Sequence, residues 1–184
     1  MRAWRTPEDP IRQPRPLHRA RGVYLAGKQE VRIAMPITKD LQRGSGRSVA
    51  VAIAHAAGIG PGGSRTFTNR KHKPITIAWV SNAANNARVG SLRTHTEALR
   101  AGLGDTLIVA FNMSRSTYTI ATLDTSAAPA EQLAQLTGRD TSDPENALAE
   151  ALGNPARGIR DALRRRGDLY ALELLAAATL APTN

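Results

Sequence analysis

The chain has 184 residues, no cysteine, and a net charge of +10 that arises from 25 lysines and arginines against 15 acidic residues. The lack of cysteine excludes disulfide frameworks, cysteine-ligated metal sites and thiol nucleophiles, and the lack of an apolar run of about 18 residues excludes a membrane span. The apolar fraction of 41% is enough for a core, and because aromatic residues make up only 4%, we expect that core to consist of Ala, Val, Ile and Leu.

The excess positive charge lies in the first 104 residues. Residues 1–50 carry 11 basic and 4 acidic side chains, residues 51–104 carry 7 and 1, and residues 105–184 carry 7 and 10. A basic region of this kind favours an anionic partner, and nucleic acid is the commonest one. The alternative is that the arginine content reflects only the base composition of a GC-rich genome.

Residues 1–29 are expected to form a basic arm. Prolines and arginines interrupt this segment, so it offers neither a helical or strand pattern nor the apolar stretch of a signal peptide. We therefore expect a cytoplasmic, nucleoid-associated protein. The arm would either lie along phosphates or remain a disordered leader, with Trp4 and Tyr24 as candidate anchors.

The first strand is predicted at residues 30–36, where Val31, Ile33 and Met35 share one face before Pro36 ends the strand. A basic, glycine-rich loop follows. Ser48 is a candidate N-cap for a helix that ends at Gly58, although the Val and Ile content leaves a strand open at this point.

Four further strands and one helix are predicted before residue 124. In the strand PITIAWV, the side chains of Ile75, Ile77 and Trp79 share one face. Residues 81–90 are polar and are expected to lie outside the core, and Ser91 is a candidate N-cap for a helix that ends before the Gly104-Asp105 turn. The predicted strands are residues 64–69, 74–80, 106–113 and 117–123, and a charged hairpin tip separates the first two.

Residues 127–180 have a helical pattern. Helices are predicted at 128–137, 143–152 and 155–179, the last broken at Gly167, and Ser142 with Glu145 forms a capping-box pattern. Residues 127–184 are therefore expected to be a small helical domain, which either caps an open edge of the barrel or docks a protein partner.

No catalytic, cofactor or metal site is assigned. The four histidines have no metal-binding spacing, acidic residues are scarce in the first 104 residues, and the loop Gly44–Ser48 lacks the lysine of a phosphate-binding P-loop. A small nuclease that uses His72, Asn82 and His95 remains an alternative.

In chain order, several segments resemble the DNA-binding pseudobarrel of plant auxin-response and abscisic-acid-response factors, which is similar to effector-binding modules of some bacterial restriction enzymes. The resemblance covers about half of the chain. It is closest where a glycine, a helix, a Gly-Asp turn and a strand follow one another, and it departs at Ser91 and Leu92, where the family usually has tryptophan. The swapped-hairpin transition-state regulators share the first half of the pattern and remain an alternative fold. The segments are VRIAMP, the loop to Arg47, the helix to Gly58, SRTFTN, PITIAWV, VGSLRTHTEALRAGLGDTLIVAF and STYTIATL.

The resemblance implies an α+β fold. A small open pseudobarrel of about five to seven strands with two short helices would occupy residues 30–124, followed by the C-terminal helical appendage at 127–184. It also implies that DNA is held by two segments, the loop after the first strand and the segment between the middle strands. By position, these are the loop with Lys39, Arg43 and Arg47, and residues Trp79 through Arg88.

We therefore expect a double-stranded DNA-binding module that recognises a sequence or a DNA modification, in transcription control or in restriction and defence. Asparagine and arginine suit base recognition in the major groove, although asparagine-rich loops are also ordinary turns. The alternatives are the small nuclease built on His72 and His95, and an adaptor that docks a partner enzyme through residues 127–184. Phosphate contacts are expected from Lys39, Arg43, Arg47, Arg70, Lys71 and Lys73. Base-reading contacts are expected from Trp79, Ser81, Asn82, Asn85, Asn86 and Arg88.

Overall fold

The structure is a computed structural model that describes residues 16–80, 86–155 and 157–180. The side chains of His18 and Asn86 are not described. The candidate anchor Trp4 and the predicted base-reading residues Ser81, Asn82 and Asn85 lie outside the described residues.

In the described residues, eight strands form two antiparallel sheets. Sheet A has the order β1-β2-β7-β8, and sheet B has the order β3-β6-β5-β4. A parallel bridge joins Thr68, just after β4, to Thr117 at the start of β8 and so links the two sheets, and the barrel is not closed on the opposite side. The strands are β1 (Val23–Leu25), β2 (Glu30–Pro36), β3 (Arg47–Ala50), β4 (Ser64–Phe67), β5 (Ile75–Trp79), β6 (Asn86–Val89), β7 (Thr106–Asn112) and β8 (Thr117–Thr122).

Over the part of the chain that the structure describes, seven α-helices accompany the sheets, and a short 3-10 helix, Leu17–Arg19, precedes β1. The predicted α+β class, the open barrel and the C-terminal helices are confirmed. The described residues form eight strands where five to seven were predicted, and three short helices accompany the barrel where two were predicted. The helices are α1 (Lys39–Arg43), α2 (Val51–Ala56), α3 (Arg93–Ala98), α4 (Pro129–Thr137), α5 (Pro144–Ala151), α6 (Ile159–Arg166) and α7 (Leu169–Leu180).

The main core lies between the two sheets. Alternate residues of each strand point into it because successive side chains of a strand face opposite sides of a sheet. Phe67 and Phe111 are fully buried there and pack edge to face, with 4.9 Å between ring centroids. From β2, β5 and β7 the inward side chains are Val31, Ile33, Met35, Ile75, Ile77, Trp79, Leu107 and Val109.

A second core lies on the other face of sheet A. Tyr24 of β1, Ile108 of β7 and Leu123 pack there against α4–α7. Sheet A is therefore covered on both faces, which explains the nearly unbroken apolar sequence of β7. The leucines that face this core from the four helices include Leu133, Leu136, Leu148, Leu163, Leu174 and Leu175.

A buried ion pair fixes the end of α6 to β1. The Arg166 Nε donates to Asp168 Oδ2 at 2.6 Å, and its Nη2 donates to the Val23 carbonyl at 2.6 Å. The second carboxylate oxygen of Asp168 accepts a hydrogen bond from the Gly22 N–H at 2.9 Å. Burial raises the pKa of Asp168 above its usual range, although Arg166 and the Gly22 N–H oppose the rise. The helical part is thus tied to sheet A by polar as well as apolar contacts.

The structure differs from the sequence expectations at five places. Residues 47–50 form β3, so the predicted helix begins only at Val51, and residues 39–43 of the predicted loop form α1. Residues 86–89 of the stretch expected to lie outside the core form β6, with Ala87 and Val89 fully buried. Asp143 caps α5 in place of Ser142, with its side chain accepting from the Asn146 N–H. The segment expected as an arm contains β1.

Candidate nucleic-acid interface

The loop that follows α1 runs against β6. Helix α1 ends at Gly44, whose φ of 95° is a conformation that glycine adopts without strain. At Gly46 a Cβ would lie 2.7 Å from the Val89 carbonyl oxygen and 3.6 Å from Nη2 of Arg88. This close approach requires glycine, and it places the Arg88 guanidinium directly beside the loop.

Arg88 lies on the outer face of sheet B. Its cross-strand neighbours are Ser48 on one side and Ala78 on the other, and Ser64 follows on the edge strand. The Arg88 side chain is exposed and, among the described residues, makes no ion pair. Because Ser48, Ala78 and Ser64 have small side chains, none of them prevents a ligand from approaching the Arg88 guanidinium closely.

The start of α3 packs against the same loop. The Ser91 Oγ and the side chain of Arg93 lie within 3.3–3.9 Å of the position that a Cβ of Gly44 would take. Arg93 also pairs with Glu97 one turn further on, with 2.8 Å between Nε and Oε1. Both partners are exposed, so this pair contributes little to stability and leaves the Arg93 charge at the surface.

The hairpin tip between β4 and β5 is held from below by His95 of α3. The Nε2 of His95 lies 2.9 Å from the Lys73 carbonyl oxygen and 2.8 Å from the Tyr118 hydroxyl. Asn69 donates from Nδ2 to the Tyr118 carbonyl, and its Oδ1 accepts from the Lys71 N–H at 2.7 Å. The backbone of the tip is therefore fixed, while the side chains of Arg70, Lys71 and Lys73 are exposed.

These contacts bring two of the predicted basic segments together. Because the Arg93 side chain packs beside Gly44 and His95 bonds the Lys73 carbonyl, the start of α3 lies between the loop and the hairpin tip. We call the exposed cations of these segments the basic surface, and it consists of Lys39, Arg43, Arg70, Lys71, Lys73, Arg88 and Arg93. Within the part of the chain that the structure describes, Arg93 is the only one of these seven side chains that forms an ion pair.

Two of the predicted contact residues lie elsewhere. Trp79 is only 7% exposed and packs in the main core, so its ring is not available to a ligand. Arg47 is in register with the buried Val89, so it leaves β3 toward the inner face and is half-buried. The backbone of Asn86 pairs with Ala50 at the end of β6. Arg93, in contrast, was not predicted, although its place just after Ser91 at a helix start indicated an exposed position.

The rings of His72 and His95 lie close together, and His95 already holds the hairpin tip, while Asn82 lies outside the described residues. Their rings are 5.8 Å apart, but His95 is 1% exposed and its Nε2 is already bonded to the Lys73 carbonyl and the Tyr118 hydroxyl. Burial lowers the pKa of His95, and the nearby His72 and Lys73 charges lower it further. Burial also raises the pKa of Tyr118 to about 12. These groups are suited to positioning the tip as neutral side chains.

No family model, curated protein or solved structure matches this chain. Within residues 16–80, 86–155 and 157–180, no helix has both the length and the hydropathy needed to cross a membrane. Over the same residues, no three His, Asp or Glu side chains are grouped as metal ligands. The interpretation of the basic surface therefore depends on its own geometry and charge.

Proposed function

We propose that this protein is a double-stranded DNA-binding module and that the basic surface contacts the DNA. The observation that carries the proposal is the convergence of exposed cations from two separate segments on the start of α3. Cations that make no internal ion pair are free to replace the counterions of phosphate groups, which is the main source of affinity for DNA. The recognised feature would be a sequence or a DNA modification, in transcription control or in restriction and defence, within the cytoplasm.

The residues of the basic surface would have different tasks. Arg43 on α1 and the cations of the hairpin tip would contact phosphates and position the protein on the duplex. Arg88 is the best candidate for base recognition because it stands on a sheet face with small neighbours and beside a loop without side-chain bulk. An arginine that bonds guanine through two nitrogens discriminates against a wrong base by about 1–3 kcal/mol.

The test compares three alanine variants in fluorescence anisotropy titrations of duplex DNA at several salt concentrations. Arg43→Ala should weaken binding to all sequences alike and reduce the salt slope by about 0.9, the value for one lost phosphate contact. Arg88→Ala should reduce the preference for the best sequence over random DNA. Lys28→Ala is the matched control, because Lys28 is exposed in the β1–β2 turn of sheet A and makes no ion pair among the described residues.

If Arg43→Ala leaves the salt slope unchanged, the loop does not contact phosphate. If Lys28→Ala weakens binding as much as Arg43→Ala, attraction to the whole molecule explains the binding and the basic surface is not the site. Either result contradicts the proposed interface.

A second candidate function is docking of a protein partner on the C-terminal helices. Helix α7 is apolar around most of its circumference, and Leu169 is 59% exposed and Leu180 83% exposed. We take a second copy of this chain as the partner, since it could cover the exposed Leu169 of one copy with that of the other. Sedimentation of the full chain at increasing concentration tests this, and the Leu169→Ser variant should then remain monomeric where the wild type associates.

A further inference from the structure

A second group of arginines lies where the C-terminal helices meet sheet A. Arg21 is exposed just before β1, and its Cδ lies 3.8 Å from the position that a Cβ of Gly167 would take. Gly167 ends α6, whose last turn carries Arg164 and Arg165 as exposed side chains. Two segments far apart in the sequence thus contribute three exposed arginines, Arg21 before β1 and Arg164 and Arg165 in the last turn of α6. We call Arg21, Arg164 and Arg165 the junction cluster.

The junction is built rigidly. The Gly22 N–H bonds the Asp168 carboxylate at 2.9 Å, and the Gly22 carbonyl accepts from the Ala34 N–H at 2.7 Å. Asp168 in turn is bonded to the buried Arg166. These hydrogen bonds fix the backbone next to Arg21 and at the end of α6, so binding of a ligand there does not require this backbone to become ordered.

The positive charge of the junction cluster is only partly neutralised inside the molecule. Arg164 pairs with Asp161 at 3.1 Å, but both side chains are about 60% exposed, so the pair is weak. Arg165 donates to the Asp161 carbonyl, and Arg21 makes no ion pair among the described residues. A favourable interaction with the carbonyl end of α6 accounts for Arg164 and Arg165. Arg21 comes from another part of the chain, and its charge lowers the pKa of the buried Asp168 carboxyl, but its side chain remains exposed.

The register of sheet A relates the junction cluster to the basic surface. Val23 pairs with Ile33 and Gly22 bonds Ala34, so Arg21 lies beside the Met35–Pro36 end of β2. Helix α1, which carries Lys39 and Arg43, follows that same end of β2 by three residues. The junction cluster and the α1 cations of the basic surface, Lys39 and Arg43, therefore lie at the same end of sheet A.

We infer that the junction cluster is a second binding site for the phosphate backbone of the same DNA duplex, so that the C-terminal helices take part in DNA binding. This inference rests on the proposed function, because the ligand is the same. Helix α6 thus has a role beyond packing, because its last turn contacts the phosphates of the DNA strand that the basic surface does not reach.

The experiment measures salt-dependent binding of a duplex of about three helical turns. The junction variant Arg21→Gln/Arg165→Gln removes two charges and retains most of each apolar side chain, so the fold should persist. Its salt slope should fall by about 2, and its affinity at 0.1 M salt should fall at least about tenfold. The control Lys28→Gln/Arg157→Gln removes two exposed charges elsewhere, and the variant Arg43→Gln/Arg88→Gln removes two charges from the basic surface.

The outcomes separate the two claims. If the junction variant binds like the wild type while Arg43→Gln/Arg88→Gln binds weakly, the inference is wrong and the proposed function stands. If the junction variant alone is impaired, the inference stands and the basic surface is wrong as the site. If the control falls as far as the junction variant, or if the wild type does not bind duplex DNA, the inference is overturned. Far-UV circular dichroism of each variant confirms that the change lies in binding and not in folding.

Discussion

His95 is the side chain that holds the hairpin tip in place. It is buried, it touches the backbone of Lys73 and the hydroxyl of Tyr118, and its pKa is lowered by burial and by the neighbouring positive groups. A neutral imidazole fits this position, whereas an imidazolium would add a buried charge next to Lys73. The presentation of Arg70, Lys71 and Lys73 therefore depends on the protonation state of one histidine.

The lowered pKa of His95 predicts a pH dependence of stability. The unfolded chain binds the proton at the ordinary histidine pKa of about 6.5, while the folded chain binds it only at lower pH. The contribution of His95 is therefore complete above about pH 6.5 and is lost as the pH falls from there toward the lowered pKa. The melting temperature should fall less between pH 7.5 and pH 5.5 for His95→Gln than for the wild type. An equal difference in both proteins would show that His95 does not cause the effect.

The contact between α6 and β1 depends on the buried pair of Arg166 and Asp168. Asp168→Ala leaves the Arg166 charge buried without its carboxylate, and it also removes the acceptor of the Gly22 N–H. We expect a loss of about 3–5 kcal/mol in the free energy of unfolding, measured by urea denaturation. The control Asp161→Ala removes the carboxylate of an exposed pair and should cost no more than about 1 kcal/mol. A loss for Asp168→Ala as small as that of the control would contradict this account of the junction.

The helices and strands with clear apolar periodicity could be predicted from the sequence. The strands β2, β5, β7 and β8 and the helices α4 and α5 lie within one or two residues of their predicted bounds. The predicted helix at 155–179 forms as α6 and α7, with its break at Gly167, which ends α6 in a left-handed conformation.

Where the pattern was weak, tertiary contacts decided the structure. Strand β6 could not be predicted because only two inward residues, Ala87 and Val89, alternate there and polar residues precede them, so the pattern is too short to stand out. Residues 47–50 have no strong preference of their own, and they form β3 because β6 offers a partner in register. The short helix α1 was also missed, since its one buried residue, Leu41, gives no periodic signal.

The sequence predicted which charged residues of the candidate site are exposed better than it predicted which segments meet there. The exposed cations of α1, the hairpin tip and β6 were all assigned from the sequence. The error at Trp79 was avoidable, because the alternation of Ile75, Ile77 and Trp79 already placed the ring on the core face of β5. Nothing in the sequence indicated that the loop with Gly46 would lie against Arg88, since that contact joins residues 42 positions apart.

The molecule should unfold as one unit, because sheet A contributes one face to each of the two cores. Removal of the helices after residue 126 would expose Tyr24, Ile108 and Leu123 on an apolar sheet face. We expect residues 16–126 alone to show no cooperative thermal transition and to aggregate, while the full chain unfolds in one transition. A truncated chain that melts as sharply as the full chain would show that the helices are a separate domain.

DNA binding itself is the central claim, and one titration of the wild-type chain tests it most directly. Fluorescence anisotropy is measured with duplex DNA, single-stranded DNA and duplex RNA at two salt concentrations. Our account predicts that the protein binds duplex DNA more tightly than the other two and that this affinity falls steeply as salt rises. Equal affinity for all three nucleic acids, or no binding to any of them, would contradict it.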